Sequence, residues 1–124
     1  MSELEPFAPI DALRVPVTLE DVPSAQVTAG LPRTGLTTVA SLAGAQVSIW
    51  EMTAGGMRDI EIDEVFIVLA GEATVTLFVD EVETDRIELR PGVICRLEAG
   101  ATTRWDVARV LRKVYISEQK EPAA

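Results

Sequence analysis

The sequence predicts an all-β protein, an antiparallel β-barrel carrying an N-terminal arm, on three observations. Short β-branched segments recur between turn signals about every 8–12 residues, the cadence of a sandwich or small barrel. Glycine turns at Ala70-Gly71, Pro91-Gly92 and Ala99-Gly100 punctuate them. No window of twelve or more residues holds a 3.6-residue apolar period, so helix should stay below about 15% of the chain.

The elements follow in order. Five of the seven prolines (Pro6, Pro9, Pro16, Pro23, Pro32) lie in the first 32 residues. Proline removes a ladder donor and breaks helices, so residues 1–34 read as an extended arm with turns or edge-strand pieces. Residues 35–117 read as the barrel, with strand segments at 36–42, 45–52, 64–70, 72–79, 86–89, 93–97, 103–107 and 110–116. Along 72–79, Ala73, Val75 and Leu77 share one side and Glu72, Thr74 and Thr76 the other, which is the pattern of a half-buried strand. Residues 80–85, all but Val82 and Thr84 acidic, read as a solvated turn. Asp59, Glu61 and Asp63 alternate with Ile60 and Ile62, most simply a solvent-facing acidic side. Residues 118–124 form a polar tail expected to fray.

Composition excludes several function classes. A net charge of −9 argues against nucleic acid or an anionic membrane surface as partner, because both require Lys and Arg to meet phosphate. Cys95 is the sole cysteine, so no internal disulfide forms and nothing suggests secretion. The acidic start, Ser2-Glu3-Leu4-Glu5, does not read as a signal peptide. The longest apolar run, residues 65–70, is far short of the about 20 residues that span a bilayer. A soluble, cytoplasmic protein is the expectation.

Three pieces carry a family resemblance: Trp50-Glu51-Met52-Thr53-Ala54-Gly55-Gly56; Asp63-Glu64-Val65-Phe66-Ile67-Val68-Leu69-Ala70-Gly71; and Arg90-Pro91-Gly92 through Ala99-Gly100-Ala101-Thr102-Thr103-Arg104-Trp105 to Arg112-Lys113-Val114-Tyr115. In this order, over more than half the chain, they resemble the cupin superfamily, most of all the small single-domain cupins related to the ethanolamine-utilisation protein EutQ. The resemblance implies a double-stranded β-helix, or jelly roll. It also places Glu64 at the glutamate of the first cupin motif and Gly71 at its closing glycine. The His-x-His positions fall on Arg58 and Ile60, or on Met57 and Asp59 under the longer spacing. The second-motif histidine falls on Thr103 and the asparagine on Val107.

Cupins of this kind usually hold a metal with those histidines, yet this chain has no histidine. Transition metals favour imidazole with one carboxylate, and Glu64 with Asp59 would make at best a weak hard-cation site. No metal or other cofactor is therefore expected. The candidate site residues are Glu64, Phe66, Thr103, Trp105, Lys113, Tyr115 and Arg58, with Glu64, Lys113 and Tyr115 as catalytic candidates if a reaction exists. Glu64 shares a strand phase with Phe66 and Val68; a carboxylate among apolar neighbours needs a cationic partner or a raised pKa. Lys113 is the favoured partner and Arg58 the alternative.

Plainer readings stand beside these. Glu64 would serve structure alone, Trp50 and Trp105 would pack as core or pocket wall, and Lys113 and Arg112 would be a solvated edge. Cys95 reads as a small buried hydrophobe. Three function classes follow: a metal-independent cupin binding a small polar molecule in its lumen; an enzyme of proton-transfer, lyase, isomerase or EutQ-like phosphoryl-transfer type; or a barrel serving only assembly. A homodimer is expected from the family resemblance and from an arm suited to covering a partner's sheet edge.

Overall fold

The structure, a computed structural model, describes residues 4–118. It is built from nine strands: β1 (Glu20–Asp21), β2 (Val27–Ala29), β3 (Arg33–Leu42), β4 (Ala45–Met52), β5 (Gly55–Ile60), β6 (Glu64–Val79), β7 (Val82–Leu89), β8 (Ile94–Leu97) and β9 (Thr102–Glu118). Every strand pairing is antiparallel. Among the described residues no helix is long and apolar enough to cross a membrane.

Two long strands organise the curled sheet. β6 and β9 pair along almost their whole length, from Glu64 opposite Ser117 to Phe78 opposite Thr102. On its other edge β9 pairs first with β5 and then with β4. The other edge of β6 pairs with β8 and then with β7. Segments 64–70 and 72–79 are thus one bent strand, as are 103–107 and 110–116. The bend in β6 sits where its register against β9 shifts, beside Gly71. That glycine has φ +93°, and an added Cβ would lie 2.1 Å from the Val110 carbonyl oxygen, so both torsion and space require glycine.

The inner face holds the main core: Met52, Met57, Phe66, Val68, Val75, Leu89, Leu97, Trp105, Val107 and Leu111. The pattern of β6 holds for Ala73 and Val75, but Thr76 on the opposite side is also buried. The acidic stretch at 80–85 proves shorter as a turn than the sequence suggested. Only Asp80 and Glu81 turn, with φ of 50° and 63°, and β7 begins at Val82. The cross-strand ladder to β6 captures the remaining acids because their backbone donors find partners there.

The proline-rich segment lies across its own sheet. Val15 packs with Val39 and Ile49 in a second, smaller core on the outer face. Arg112 fastens it. Its guanidinium donates to the carbonyls of Ala12 and Val15, each at 2.8 Å, and to Glu51 Oε1 at 3.1 Å. At Gly35 the arm approaches so closely that a Cβ would meet the Thr18 carbonyl oxygen at 2.1 Å. The reading of Arg112 and Lys113 as a solvated edge is overturned, since both are buried. Alternation sends Arg112 outward beneath the arm and Lys113 inward.

Arg112→Ala strands the Glu51 carboxylate and two carbonyls, and should cost about 3–5 kcal/mol by denaturant unfolding. Limited proteolysis should then cut first within residues 8–19; a variant with wild-type stability and an uncut arm would contradict this role.

Candidate functional site

Strand phase gathers the site. Glu64, Phe66 and Val68 face inward from β6, opposite Ser117, Tyr115 and Lys113 of β9. Across the other edge of β9, Trp50 of β4 pairs with Lys113 and Ser48 with Tyr115. Further along, Met57 and Asp59 of β5 pair with Trp105 and Thr103.

At the centre is an ion pair. Lys113 Nζ lies 3.2 Å from Glu64 Oε2, and the two residues are only 3% and 6% exposed. Four rings surround the ammonium, with centroids at 4.4 Å (Phe66), 4.6 Å (Trp105), 4.7 Å (Trp50) and 5.4 Å (Tyr115). Ring faces attract a cation, most strongly when water is excluded. Burial still pulls the Lys113 pKa below the ordinary lysine value, with Glu64 opposing the shift.

Glu61 is the residue that sequence reasoning placed wrongly. It is 6% exposed, and its Oε2 accepts from Thr103 Oγ1 at 2.8 Å and from Trp105 Nε1 at 3.0 Å. Ile60, on the side opposite the acids expected to face solvent, is instead 71% exposed. The alternating run has two possible phases, and hydrophobicity selects the wrong one because buried hydroxyl and indole donors supply partners for a carboxylate. The longer motif spacing carried the missed signal: it puts Asp59 inward, and Glu61 shares its phase. Asp63 is a surface residue, paired with Arg96 at 3.0 Å. Burial raises the pKa of both Glu61 and Asp59, and repulsion from Asp59 adds to the rise at Glu61. Burial also raises the Tyr115 pKa, against a hydrogen bond with Ser48.

Of the sequence candidates, Glu64, Phe66, Thr103, Trp105, Lys113 and Tyr115 come together on the inner face. Arg58 does not. It pairs in register with Arg104 on the outer face, exposed, with its guanidinium 5.2 Å from the Phe78 ring centroid. Met57 and Asp59 therefore hold the inward positions of β5. Cys95 lies half-buried opposite Phe66, and burial raises its thiol pKa.

The group opens to a cavity of about 210 Å³, lined by Leu36, Trp50, Asp59, Ile60, Glu61, Ile62, Glu64, Trp105, Lys113 and Tyr115. A larger groove of about 620 Å³, beside Val22, Leu31 and Pro32, has Asp21 as its only ionisable lining residue.

The family model of the EutQ-like cupin domain matches residues 39–115, more than half of the chain. The protein belongs to the EutQ-like cupin family. No curated protein matches it in sequence. Among solved structures, a putative ethanolamine utilisation protein EutQ from Salmonella typhimurium LT2 superposes with TM-score 0.59 at 13% identity, covering 86% of this chain and 98% of that one. The EutQ protein of Clostridium difficile gives 0.56 at 15% identity, over 71% and 69%. A DUF861-family protein of unknown function from Pseudomonas syringae pv. tomato DC3000 gives 0.69 at 16%, over 86% of this chain and 46% of that one. These likenesses establish the fold.

Cupins imply a metal, and the donors here do not fit one. The inward positions that histidines would take hold Met57, Asp59 and Thr103, and the Lys113 ammonium already occupies the side of Glu64. Among the described residues no three His, Cys, Asp or Glu side chains are arranged to hold an ion. A fixed ammonium in the lumen repels a divalent cation.

Glu64→Gln and Lys113→Met should each cost about 3–5 kcal/mol by leaving a buried charge unpaired, and the double variant should recover most of the loss. Additive losses would mean that the pair is not coupled. For Glu61 the sign follows from its raised pKa. The folded carboxyl holds its proton more tightly than the unfolded one, so this contribution to stability is full below the ordinary value of 4.5 and is lost as pH rises through the folded value. Glu61→Gln should therefore lessen the fall in Tm between acid and neutral pH by a few degrees; an unchanged profile would count against the burial of this carboxylate.

Proposed function

We propose that this cupin binds one small polar molecule in its lumen without a transition metal. The observation that carries the reading is a desolvated ion pair lining an open cavity whose other walls are three aromatic rings, three aliphatic side chains and two carboxylates. Buried charges are costly, and a fold that needed only a core would fill this space with apolar side chains. Trp50, Trp105 and Tyr115 offer ring faces, while Glu61 and Asp59 offer carboxylates. Few polar groups converging in a mostly apolar hollow is the usual make-up of a ligand site. At about 210 Å³ the cavity is below the about 300 Å³ of drug-sized sites, so the ligand is small.

A thermal-shift screen of small polar metabolites tests this, with calorimetry on the hits. A ligand at a hundred times its Kd should raise Tm by roughly 10 °C. Leu36→Trp, a change at the half-exposed cavity rim, should abolish binding while leaving the ligand-free Tm near wild type. A silent screen, or hits indifferent to Leu36→Trp, would overturn the proposal.

A further inference from the structure

We propose that Lys113 is a nucleophilic amine that forms an imine with a small, neutral aldehyde or ketone bound in this cavity. The inference rests on the reading that the cavity takes a small molecule, and it names the class of that molecule.

The choice of residue is the first argument. The chain has eleven basic residues, of which only Lys113 and Lys120 are lysines. Arginine is the usual partner in buried ion pairs, because its planar fork holds carboxylates bidentately and is less strongly hydrated. The neighbouring residue, Arg112, does this structural work against Glu51. At position 113, facing the cavity, the chain instead carries a primary amine. An amine can give up its proton and attack a carbonyl; a guanidinium cannot.

The surroundings are the second argument. An amine in an apolar pocket is activated because burial disfavours its protonated form. Lys113 Nζ sits among four rings, with Glu64 Oε2 at 3.2 Å in position to take the proton. The ammonium passes one proton to Glu64, and the nitrogen lone pair bonds to the carbonyl carbon as the C=O π pair moves to oxygen. That oxygen takes the proton back from Glu64, giving a carbinolamine still protonated on nitrogen. A second N–H proton, relayed by Glu64, then leaves with the hydroxyl as water, and the nitrogen lone pair forms the C=N bond. Protonated on nitrogen, the product is an iminium ion, so one ammonium and one carbonyl give one iminium and one water. The positive charge begins and ends in the same aromatic box beside the same carboxylate.

Charge sets the substrate class. Asp59, Glu61 and Glu64 line the cavity with Lys113 as its one cation, which disfavours keto acids and other anionic carbonyls.

The test is reductive trapping of the full-length chain near neutral pH, with glycolaldehyde, propanal, acetone and pyruvate each tried with cyanoborohydride. Peptide mass mapping locates the adduct. Lys120 is the internal reference, and the urea-unfolded chain is the control for burial. The expected result is one adduct at Lys113 with the neutral carbonyls, formed at least about tenfold faster than at Lys120, with the preference lost in urea. Pyruvate should trap several-fold less. Lys113→Arg, which keeps the charge, should lose the adduct. Lys113 modified no faster than Lys120, or only after unfolding, would overturn the inference. If Leu36→Trp-sensitive ligands bind without trapping, the imine falls and the binding site stands; if neither is seen, both fall.

Discussion

A single ammonium held inside the barrel sets the terms for most of what surrounds it. Lys113 is almost wholly removed from water, and a charge so placed needs compensation from every side. Glu64 supplies the opposite charge, and four rings supply their negative faces. The rings must then be held in place. Glu61 fixes the Trp105 indole through its N–H, Thr103 orients Glu61, and Trp50 and Phe66 both pack against Trp105 at 5.4 and 5.9 Å between centroids. The polar network and the aromatic box are one structure.

The backbone meets this demand through register. β9 carries Lys113, Tyr115, Trp105 and Thr103 on one face because side chains alternate, and β4, β5 and β6 present their partners at matching positions. The same alternation puts Arg112 on the opposite face, where the arm covers it. The sheet is therefore charged on both sides at neighbouring residues, and each charge has its own shelter. Arg112 binds the arm with two hydrogen bonds and Glu51 of β4 with a third, while Lys113 faces the cavity. Gly35 permits the close approach of the arm to the sheet, and Gly71 that of β6 to β9 at their bend.

Placing a tethered cation beside Glu64, at the glutamate position of the first cupin motif, changes what the lumen can do. A metal supplies Lewis acidity and exchangeable coordination sites. An ammonium supplies a fixed charge, a proton and, once deprotonated, a lone pair. The carboxylates follow suit: Glu64 is a partner to an amine, and Glu61 is a second buried carboxylate held by an indole and a hydroxyl. The EutQ-like cupin scaffold thus carries acid–base groups on strands rigid enough to keep them within hydrogen-bonding distance.

The sequence by itself determined the strand cadence, the cupin resemblance, the shared phase of Glu64 with Phe66 and of Thr103 with Trp105, and the need of Glu64 for a cation, with Lys113 favoured over Arg58. The shared faces follow from period-two alternation, and the cation from the cost of a bare carboxylate in an apolar strand. The family and the inward direction of Thr103 and Trp105 are what the cupin resemblance implies. Only the tertiary structure decided three things. It chose the phase of 59–63, where alternation permits either face and the Trp105 and Thr103 donors, 42 to 44 residues away, settle it for Glu61. It sent Arg58 outward, because Met57 and Asp59 take the register positions opposite Trp105 and Thr103. And it laid the arm over Arg112, a contact spanning about 100 residues of chain. Local sequence fixes which side chains share a face. Which face meets the lumen depends on partners that only folding brings near.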